Sequence, residues 1–251
     1  MSRPKRRKKR GARGEERRSR RRVFLAAVGL AVAATFLSPI GYVTLFGPDV
    51  RGLRDGIPLL TALQRERSEA AIESGRPFRK EQQWVPYERI SPHLVNAVIV
   101  SEDATFWTHS GFDFHEIRES INKNWKERRY ARGASTITQQ LAKNLYFGAE
   151  RSLRRKFLEA FTAWRIERNL SKKRILEIYL NVIEWGPGVY GADAASHRYF
   201  GVGAGDLTPR QAALLASAIP SPLKMNPGEP GPFLQERAAM TLERMKARGM
   251  L

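Results

Sequence analysis

The stretch SPHLVNAVIVSED, from Ser91 to Asp103, decides what fold the sequence predicts. Ser91 is a good helix N-cap, and the proline that follows it suits the first position of a helix. Apolar residues then recur from Leu94 to Val100, so the stretch predicts a buried helix that ends in two carboxylates. Glu102, at the edge of this apolar helix, is a candidate for a raised pKa and for proton transfer. The alternative is an ordinary carboxylate at a helix end.

Further helix signals follow along the chain. Capping residues stand before amphipathic runs at Asp113, Ser152, Ser171 and Thr208. Five prolines between 220 and 232 predict a loop, and 233–251 predicts a final amphipathic helix. Sustained alternation of apolar and polar residues is missing, so we expect strands to be minor. The sequence therefore predicts a mostly α domain without internal repeats.

The charge of the chain is divided unevenly. The formal net charge of this 251-residue sequence is +19, yet residues 1–22 hold 13 Arg and Lys against two Glu, a net +11. A strongly basic chain first suggests nucleic acid, an anionic membrane or an anionic ligand as partner. The chain contains no cysteine. Disulfides, thiolate metal sites and cysteine nucleophiles are therefore excluded.

Residues 23–46 contain no charged side chain. As a helix they would span about 36 Å, enough for a hydrocarbon core of about 30 Å, and the basic flank places the N-terminus in the cytoplasm. A buried core helix, a cleaved signal peptide and a twin-arginine signal are weaker alternatives. We expect a basic cytoplasmic tail over 1–22, a transmembrane helix over 23–46, a juxtamembrane linker over 47–80 and a globular domain over 81–251. An amphipathic turn against the bilayer is the alternative for part of the linker.

Two short motifs suggest chemistry that their surroundings do not support. The glycine-rich run 201–205 lacks the lysine and the following helix cap of a phosphate loop. Ser221 to Lys224 spells the S-x-x-K of acyl-transferring enzymes, but it lies between prolines and no K-T-G follows. The four histidines have no metal-ligand spacing. We interpret the glycine-rich run as a flexible turn and the S-x-x-K match as a coincidence.

A polar run and a basic cluster are harder to dismiss. Gly133 to Gln140 holds three hydroxyls and two amides, which suit hydrogen bonding to a hydroxyl-rich ligand such as a sugar. Basic residues follow at Lys143, Arg151, Arg154, Arg155 and Lys156, and a cluster of this kind suits a phosphate-bearing ligand. Glu159 lies four residues after Arg155 and three after Lys156, on one helical face, so an ion-paired surface stripe is its plain interpretation.

These segments resemble the peptidoglycan glycosyltransferases. Residues 102–111 are similar to their E-D-x-x-F-x-x-H-x-G signature, and 133–140 to their G-x-S-T-I-T-Q-Q motif. Residues 155–159 match R-K-x-x-E, and 172–181 match K-x-x-I-L-E-x-Y-L-N, while Tyr199 and Phe200 fit a weaker fifth motif. The four long motifs occur in family order over more than half the chain. No transpeptidase segment follows, so we expect a monofunctional member.

The resemblance implies a lysozyme-like helical glycosyltransferase domain behind one N-terminal transmembrane helix, which polymerises lipid II outside the bacterial cytoplasmic membrane. In that family the first Glu of the E-D motif is the general base, here Glu102. Glu159 matches a second essential carboxylate, which either organises the basic cluster or holds a divalent cation. The matching substrate-binding positions are Asp103, Phe106, His109, Ser135, Thr136, Gln139, Gln140, Lys143, Arg151, Arg155 and Lys156.

The expected partners follow from the same resemblance. They are lipid II, the growing lipid-linked glycan chain, the cytoplasmic membrane and other cell-wall synthesis proteins, with no nucleic acid. A divalent cation, Mg²⁺ or Mn²⁺, is expected at the donor pyrophosphate, and whether Glu159 is its ligand is left open. Two alternatives remain open: a membrane-anchored lytic transglycosylase or lysozyme, and a non-enzymatic binding protein that uses its basic tail.

Overall fold

The computed structural model describes residues 23–29, 48–127, 133–148 and 152–251. The chain divides into two units, 1–47 and 48–251. Within the first unit only 23–29 are described, and they are helical. The basic tail over 1–22 and residues 30–46 of the predicted transmembrane helix lie outside the described residues. Among the residues described, no helix combines the length and the apolar character that a membrane crossing requires.

Residues 48–251 are mostly helical, as predicted. The nine helices described there are α1 (Ala62–Glu73), α2 (Pro92–Glu102), α3 (Phe114–Glu127), α4 (Ile137–Tyr146), α5 (Leu153–Asn169), α6 (Lys172–Val182), α7 (Ala192–Phe200), α8 (Pro209–Ala218) and α9 (Pro232–Ala247). Short 3-10 turns precede α1, at Arg51–Leu53, and α2, at Tyr87–Arg89. The predicted loop over 220–232 separates α8 from α9.

Strands are minor, which confirms the expectation from the sequence. One small sheet contains β1 (Glu81–Gln82), β2 (Glu184–Gly186) and β3 (Val189–Tyr190), in the order β1-β3-β2. β1 pairs parallel to β3, and β2 pairs antiparallel to β3 across a tight connection. At that connection Gly188 has φ +77°, and an added Cβ would collide with the backbone oxygen of Arg79, so only glycine fits.

The helix starts follow the capping signals in the sequence. The side chains of Ser91, Ser152, Ser171 and Thr208 each accept a hydrogen bond from a backbone N–H in the first turn of the helix that follows. Asp113 does the same for Glu116 at the start of α3, through Oδ1 at 2.8 Å. Each bond pairs an N–H that helix geometry would leave without a partner. Local chemistry thus sets where these helices begin.

Helix α2 lies in the core of the 48–251 unit. It packs against α8 and α9, while α4 packs against α1, α5 and α6. Leu94, Ala97 and Val98 of α2 are completely buried. Burial of such side chains is the main favourable term in folding. The packing holds the C-terminal end of α2, and with it Glu102, at a fixed position.

The region predicted as a juxtamembrane linker contributes to the folded unit from residue 48 onward. Val50 is completely buried in the core, and Thr61 and Gln64 form a reciprocal capping box at the start of α1. Arg67 of α1 donates two hydrogen bonds, of 3.1 and 3.0 Å, to the buried carboxylate of Glu184 in β2. The described part of 47–80 is therefore tied to the domain by core packing and by an ion pair.

Candidate active site

Glu102 is the last residue of α2, and its carboxylate is partly buried. Burial raises the pKa of this carboxyl above its ordinary value, because a charged group loses hydration next to the protein interior. A hydrogen bond from Gln140 and the positive charge of Arg237 oppose the rise in pKa, and the neighbouring Asp103 adds to it. Glu102 therefore holds a proton more readily than an ordinary glutamate does.

Two further side chains connect to Glu102 in series. Gln140 of α4 donates a hydrogen bond from Nε2 to Glu102 Oε2 at 2.8 Å. The hydroxyl of Tyr179, on α6, donates to Gln140 Oε1 at 2.8 Å. Tyr179 is completely buried, and burial raises the pKa of its phenol well above the ordinary value. The phenol therefore stays neutral and remains a hydrogen-bond donor.

Asp103 and His109 join the end of α2 to the start of α4. Gly111 donates its backbone N–H to His109 Nδ1 at 3.0 Å, so that nitrogen is an acceptor and the ring proton is on Nε2. Nε2 then donates to Asp103 Oδ1 at 2.8 Å. The other oxygen of Asp103 accepts from the backbone N–H of Ile137 at 2.9 Å. Both predicted substrate-binding side chains therefore bond to protein groups.

Two residues of the polar run also form protein contacts. Thr136 caps α4 in a reciprocal box with Gln139, and the hydroxyl of Thr136 donates to the Gly111 carbonyl at 2.8 Å. Thr136 and Gln139 are both buried. The structure thus places these two predicted substrate-binding residues at the start of α4, where they fix the helix. Gln140, the next residue, is the one whose amide reaches Glu102.

Phe106 lies in the loop that follows Glu102. Its ring is completely buried, and the Lys172 ammonium lies 4.4 Å from the ring centre. Lys172 also forms an ion pair of 2.7 Å with Glu167, whose carboxylate accepts a hydrogen bond from Thr138 of α4. Because the Phe106 ring is buried, it has no exposed face for the predicted contact with substrate. The buried Phe106 ring and the ion pair of Lys172 with Glu167 instead hold the loop after Glu102 in place.

The basic cluster surrounds a buried carboxylate. Glu159 of α5 is 1% exposed, and its two oxygens lie 3.1 Å from Arg155 Nε and 3.3 Å from Lys156 Nζ. Lys156 also donates to the hydroxyl of Ser135 at 2.9 Å. Arg155 donates from its guanidinium to the Gly148 carbonyl at 3.1 Å. The predicted ion pairs are present, but the prediction of a surface stripe is wrong for Glu159, which the packing of α5 buries. The Lys156 side chain has an exposed fraction of 49%.

Helix α4 connects the two parts of the site. Its Gln140 contacts Glu102, and the residue before its N-cap, Ser135, contacts Lys156. Lys143 lies one turn after Gln140 on the same helix and is partly buried. Arg151, the remaining basic position predicted to bind substrate, lies outside the described residues. The start of α4 therefore contacts both the Glu102 carboxylate and the Lys156 ammonium.

A protein-held divalent cation does not fit the donor set. The described residues contain no group of three or more His, Asp or Glu side chains close enough to hold a metal ion. Glu159, the carboxylate expected to hold one, has a cation next to each of its oxygens. A divalent cation at that carboxylate would meet the repulsion of Arg155 and Lys156. The surroundings of Glu159 therefore do not fit a metal ion held by that carboxylate.

The sequence did not indicate two residues that the structure brings to Glu102. Arg237 of α9 is 135 positions away along the chain, and its charge acts on Glu102 while its buried Nε has no hydrogen-bond partner in the described structure. Tyr179 lies within a recognised motif, but nothing in its spacing predicts a bond to Gln140. Both relations depend on how distant helices pack, and a motif match alone carries no signal for either.

Comparison with known proteins gives a consistent result. Residues 69–246 match the family model described as Transglycosylase. The chain is 45% identical over 188 residues to a biosynthetic peptidoglycan transglycosylase of Nitrosospira multiformis, covering 75% of this chain and 82% of that protein. It is 41% identical over 223 residues to one of Nitrosomonas eutropha, covering 89% and 87%, and 50% identical over 163 residues to one of Methylobacillus flagellatus, covering 65% and 68%.

Proposed function

The chain belongs to the transglycosylase family and is a peptidoglycan glycosyltransferase, and on that premise we propose that it polymerises lipid II with Glu102 as the general base. One observation carries the assignment of the base. Glu102 is the carboxylate of the first family motif, and burial raises its pKa while Gln140 holds its orientation. A base works best when its pKa lies near the working pH, so this environment favours proton transfer.

The proposed step is a displacement with inversion. The Glu102 carboxylate takes the proton from the 4-hydroxyl of the acceptor N-acetylglucosamine. The oxygen of that hydroxyl forms a bond to C1 of the N-acetylmuramic acid at the reducing end of the growing chain. The bond from C1 to the pyrophosphate breaks, and undecaprenyl pyrophosphate leaves with the electron pair. The leaving group is a good one, so the protein must mainly neutralise charge on it.

The basic cluster is proposed to supply that neutralisation. Lys156 and Arg155 together exceed the single charge of Glu159, so the cluster keeps a positive charge for a pyrophosphate. Lys143 and Arg151 are proposed to extend this binding surface. Charge-assisted hydrogen bonds from ammonium and guanidinium groups to phosphate are among the stronger polar contacts in proteins. In this account Glu159 organises the cations and takes no part in proton transfer.

The divalent cation stays a separate proposal. The ion-paired surroundings of Glu159 disfavour a metal held by that carboxylate, so the pyrophosphate itself is the ligand that would bring Mg²⁺ or Mn²⁺ to the site. Such an ion would add to the charge neutralisation by Lys156 and Arg155.

The membrane arrangement and the partners are also proposals. The uncharged run over 23–46 and the net +11 of residues 1–22 support a single transmembrane helix with its N-terminus in the cytoplasm. The catalytic domain would then lie outside the cytoplasmic membrane, where it meets lipid II, the growing lipid-linked glycan and other cell-wall synthesis proteins. The lysozyme-like arrangement of the helices is proposed from the family resemblance.

The direct test of the proposed function uses the full-length protein in detergent with labelled lipid II. We expect glycan polymer that lysozyme digests, formed with and without an added divalent cation. A second assay follows the turbidity of isolated sacculi, which a lytic enzyme would lower. Loss of turbidity without polymer formation would overturn the proposal in favour of a lytic transglycosylase or a lysozyme.

A further inference from the structure

The hydrogen bonds at Glu102 form a chain with a fixed direction. An ionised carboxylate can only accept hydrogen bonds, so the Gln140 group that faces Glu102 must be its NH2, at 2.8 Å. The amide oxygen of Gln140 then points the other way and needs a donor. The neutral hydroxyl of Tyr179 supplies it at 2.8 Å. Tyr179, Gln140 and Glu102 thus lie on three different helices and form one directed series.

Resting on the proposed role of Glu102, we propose that Tyr179 is a positioning residue for the general base, because its hydroxyl fixes the Gln140 amide with the NH2 group toward the Glu102 carboxylate. The two ends of an amide side chain have nearly the same shape, so packing alone does not select one orientation. The ionised carboxylate favours NH2 on its side, and the Tyr179 donor adds to this preference by bonding the amide oxygen on the other side. The opposite orientation would place the amide oxygen against the carboxylate and the NH2 group against a hydroxyl that has lost its acceptor.

Removal of the Tyr179 hydroxyl leaves the Gln140 amide without this selection. The amide of Gln140, which is partly buried, then has a polar atom without its protein partner, and this costs free energy. In the opposite orientation the amide oxygen can accept a hydrogen bond from the protonated Glu102 carboxyl, and without the Tyr179 donor this arrangement competes with the one that bonds the ionised carboxylate. The hydrogen bond from the Gln140 NH2 to the ionised carboxylate is then partly lost. Because that bond favours the ionised form of Glu102, the pKa of the carboxyl rises further.

The other charged groups that face Glu102 do not depend on the hydroxyl. Arg237 on α9 lowers the pKa of Glu102 through its charge, and Asp103 next to it in sequence raises it. Asp103 is itself held by His109 and by the backbone N–H of Ile137. A change at Tyr179 therefore acts on Glu102 through Gln140. The effects of Arg237 and Asp103 on the pKa of Glu102 keep their directions.

The test compares Tyr179→Phe with a matched control, Tyr190→Phe. Tyr190 is also completely buried, and its hydroxyl donates directly to the buried carboxylate of Glu184 at 3.3 Å. Both substitutions remove one hydroxyl from the core. We expect similar losses of thermal stability for both variants, and a further rise in the pKa of Glu102 for Tyr179→Phe alone.

The readout is the rate of lipid II polymerisation as a function of pH. The rate rises with pH as Glu102 loses its proton, and we expect Tyr179→Phe to move this acidic limb upward by about 0.5 to 1 pH unit. Tyr190→Phe should keep the wild-type limb. In a Gln140→Met background Tyr179→Phe should cause no further shift, because the hydroxyl acts through the amide. A uniform loss of rate without a shift of the limb would overturn the proposal and leave a structural role.

A second measurement does not depend on turnover. The carboxyl carbon of Glu102 can be followed by ¹³C NMR in protein labelled at glutamate, with Glu102→Gln providing the assignment. We expect a higher titration midpoint for Glu102 in Tyr179→Phe than in the wild type and in Tyr190→Phe. An unchanged midpoint would overturn the positioning role. A wild-type protein that makes no polymer but shows the expected midpoints would instead contradict the proposed function alone.

Discussion

Asp103 Oδ2 accepts a hydrogen bond of 2.9 Å from the backbone N–H of Ile137, 34 residues later in the chain. This single bond ties the end of α2, where Glu102 lies, to the first turn of α4, where the residues of the second motif begin. The N-terminal end of a helix has unpaired N–H groups and a partial positive charge, both of which favour a carboxylate. Asp103 therefore fixes the position of the 102–111 motif relative to the 133–140 motif.

Asp103→Asn tests this connection. The two oxygens of Asp103 meet two donors, His109 Nε2 and Ile137 N–H, whereas Asn presents one oxygen and one NH2 group. One donor would then face another donor in a buried site. We expect a loss of about 1 to 3 kcal/mol in the free energy of unfolding, measured with urea. The exposed Asp55→Asn is the control for charge, and equal effects of the two variants would contradict the connection.

Lys156→Ala tests the anion-binding role of the basic cluster. The variant should stay folded, because the buried Glu159 carboxylate keeps Arg155 as its ion-pair partner, and we expect a loss of about 1 kcal/mol in the free energy of unfolding. We expect a donor-mimicking phosphoglycolipid inhibitor to bind about tenfold more weakly, through loss of one charge-assisted hydrogen bond. Lys173→Ala, which removes an exposed ammonium paired with Glu88, is the matched control. Binding that weakens equally in Glu102→Gln and Lys156→Ala would argue against this role.

Arg67→Met tests whether α1 belongs to the domain. The substitution keeps an apolar side chain of similar length and leaves the buried Glu184 carboxylate without its ion-pair partner. Because the Arg67 side chain is one-third exposed, we expect a moderate loss of about 1 to 3 kcal/mol in the free energy of unfolding. Arg65→Met, at an exposed position of the same helix, should have little effect. Similar stabilities of the two variants would show that α1 contributes no such bond in solution.

Glu102→Gln should make the stability of the protein depend differently on pH. The pKa of Glu102 is raised in the folded state, so the folded protein binds more protons than the unfolded chain between the two pKa values. Its free energy of unfolding therefore falls as pH rises through that window. We expect Glu102→Gln to be more stable than the wild type above the window, by about 1.4 kcal/mol for each pH unit that separates the folded and unfolded pKa values, and to lose this advantage in acid. Thermal unfolding across pH measures it, and a constant difference at every pH would contradict the raised pKa.

Local sequence signals predicted most helix starts and part of the site. Ser152 and Ser171 could be identified as caps because an N-cap bonds to residues two or three positions ahead. The same argument applies to the Glu159 pairs, which lie within one helix turn. The capping box of Thr61 and Gln64 carries an equal signal, so α1 could have been predicted within the region taken as a linker.

The remaining features depend on tertiary packing. The bond between Tyr179 and Gln140 joins residues 39 positions apart, and Arg237 reaches Glu102 from the last helix. Sequence motifs indicated that Phe106 belongs to the site but not that its ring is completely buried. Such relations depend on how α2, α4, α6 and α9 meet, and a single sequence contains no local pattern that fixes those contacts.

The general-base role of Glu102 is tested most directly by polymerisation of purified lipid II with the Glu102→Gln variant of the full-length protein. The exposed Glu236→Gln on α9 is the matched control, and the unfolding measurements show whether both variants fold. The predicted result is glycan polymer from the wild type and from Glu236→Gln, and none from Glu102→Gln. Chain formation by Glu102→Gln at a rate near that of the wild type would contradict the role of Glu102 as the base.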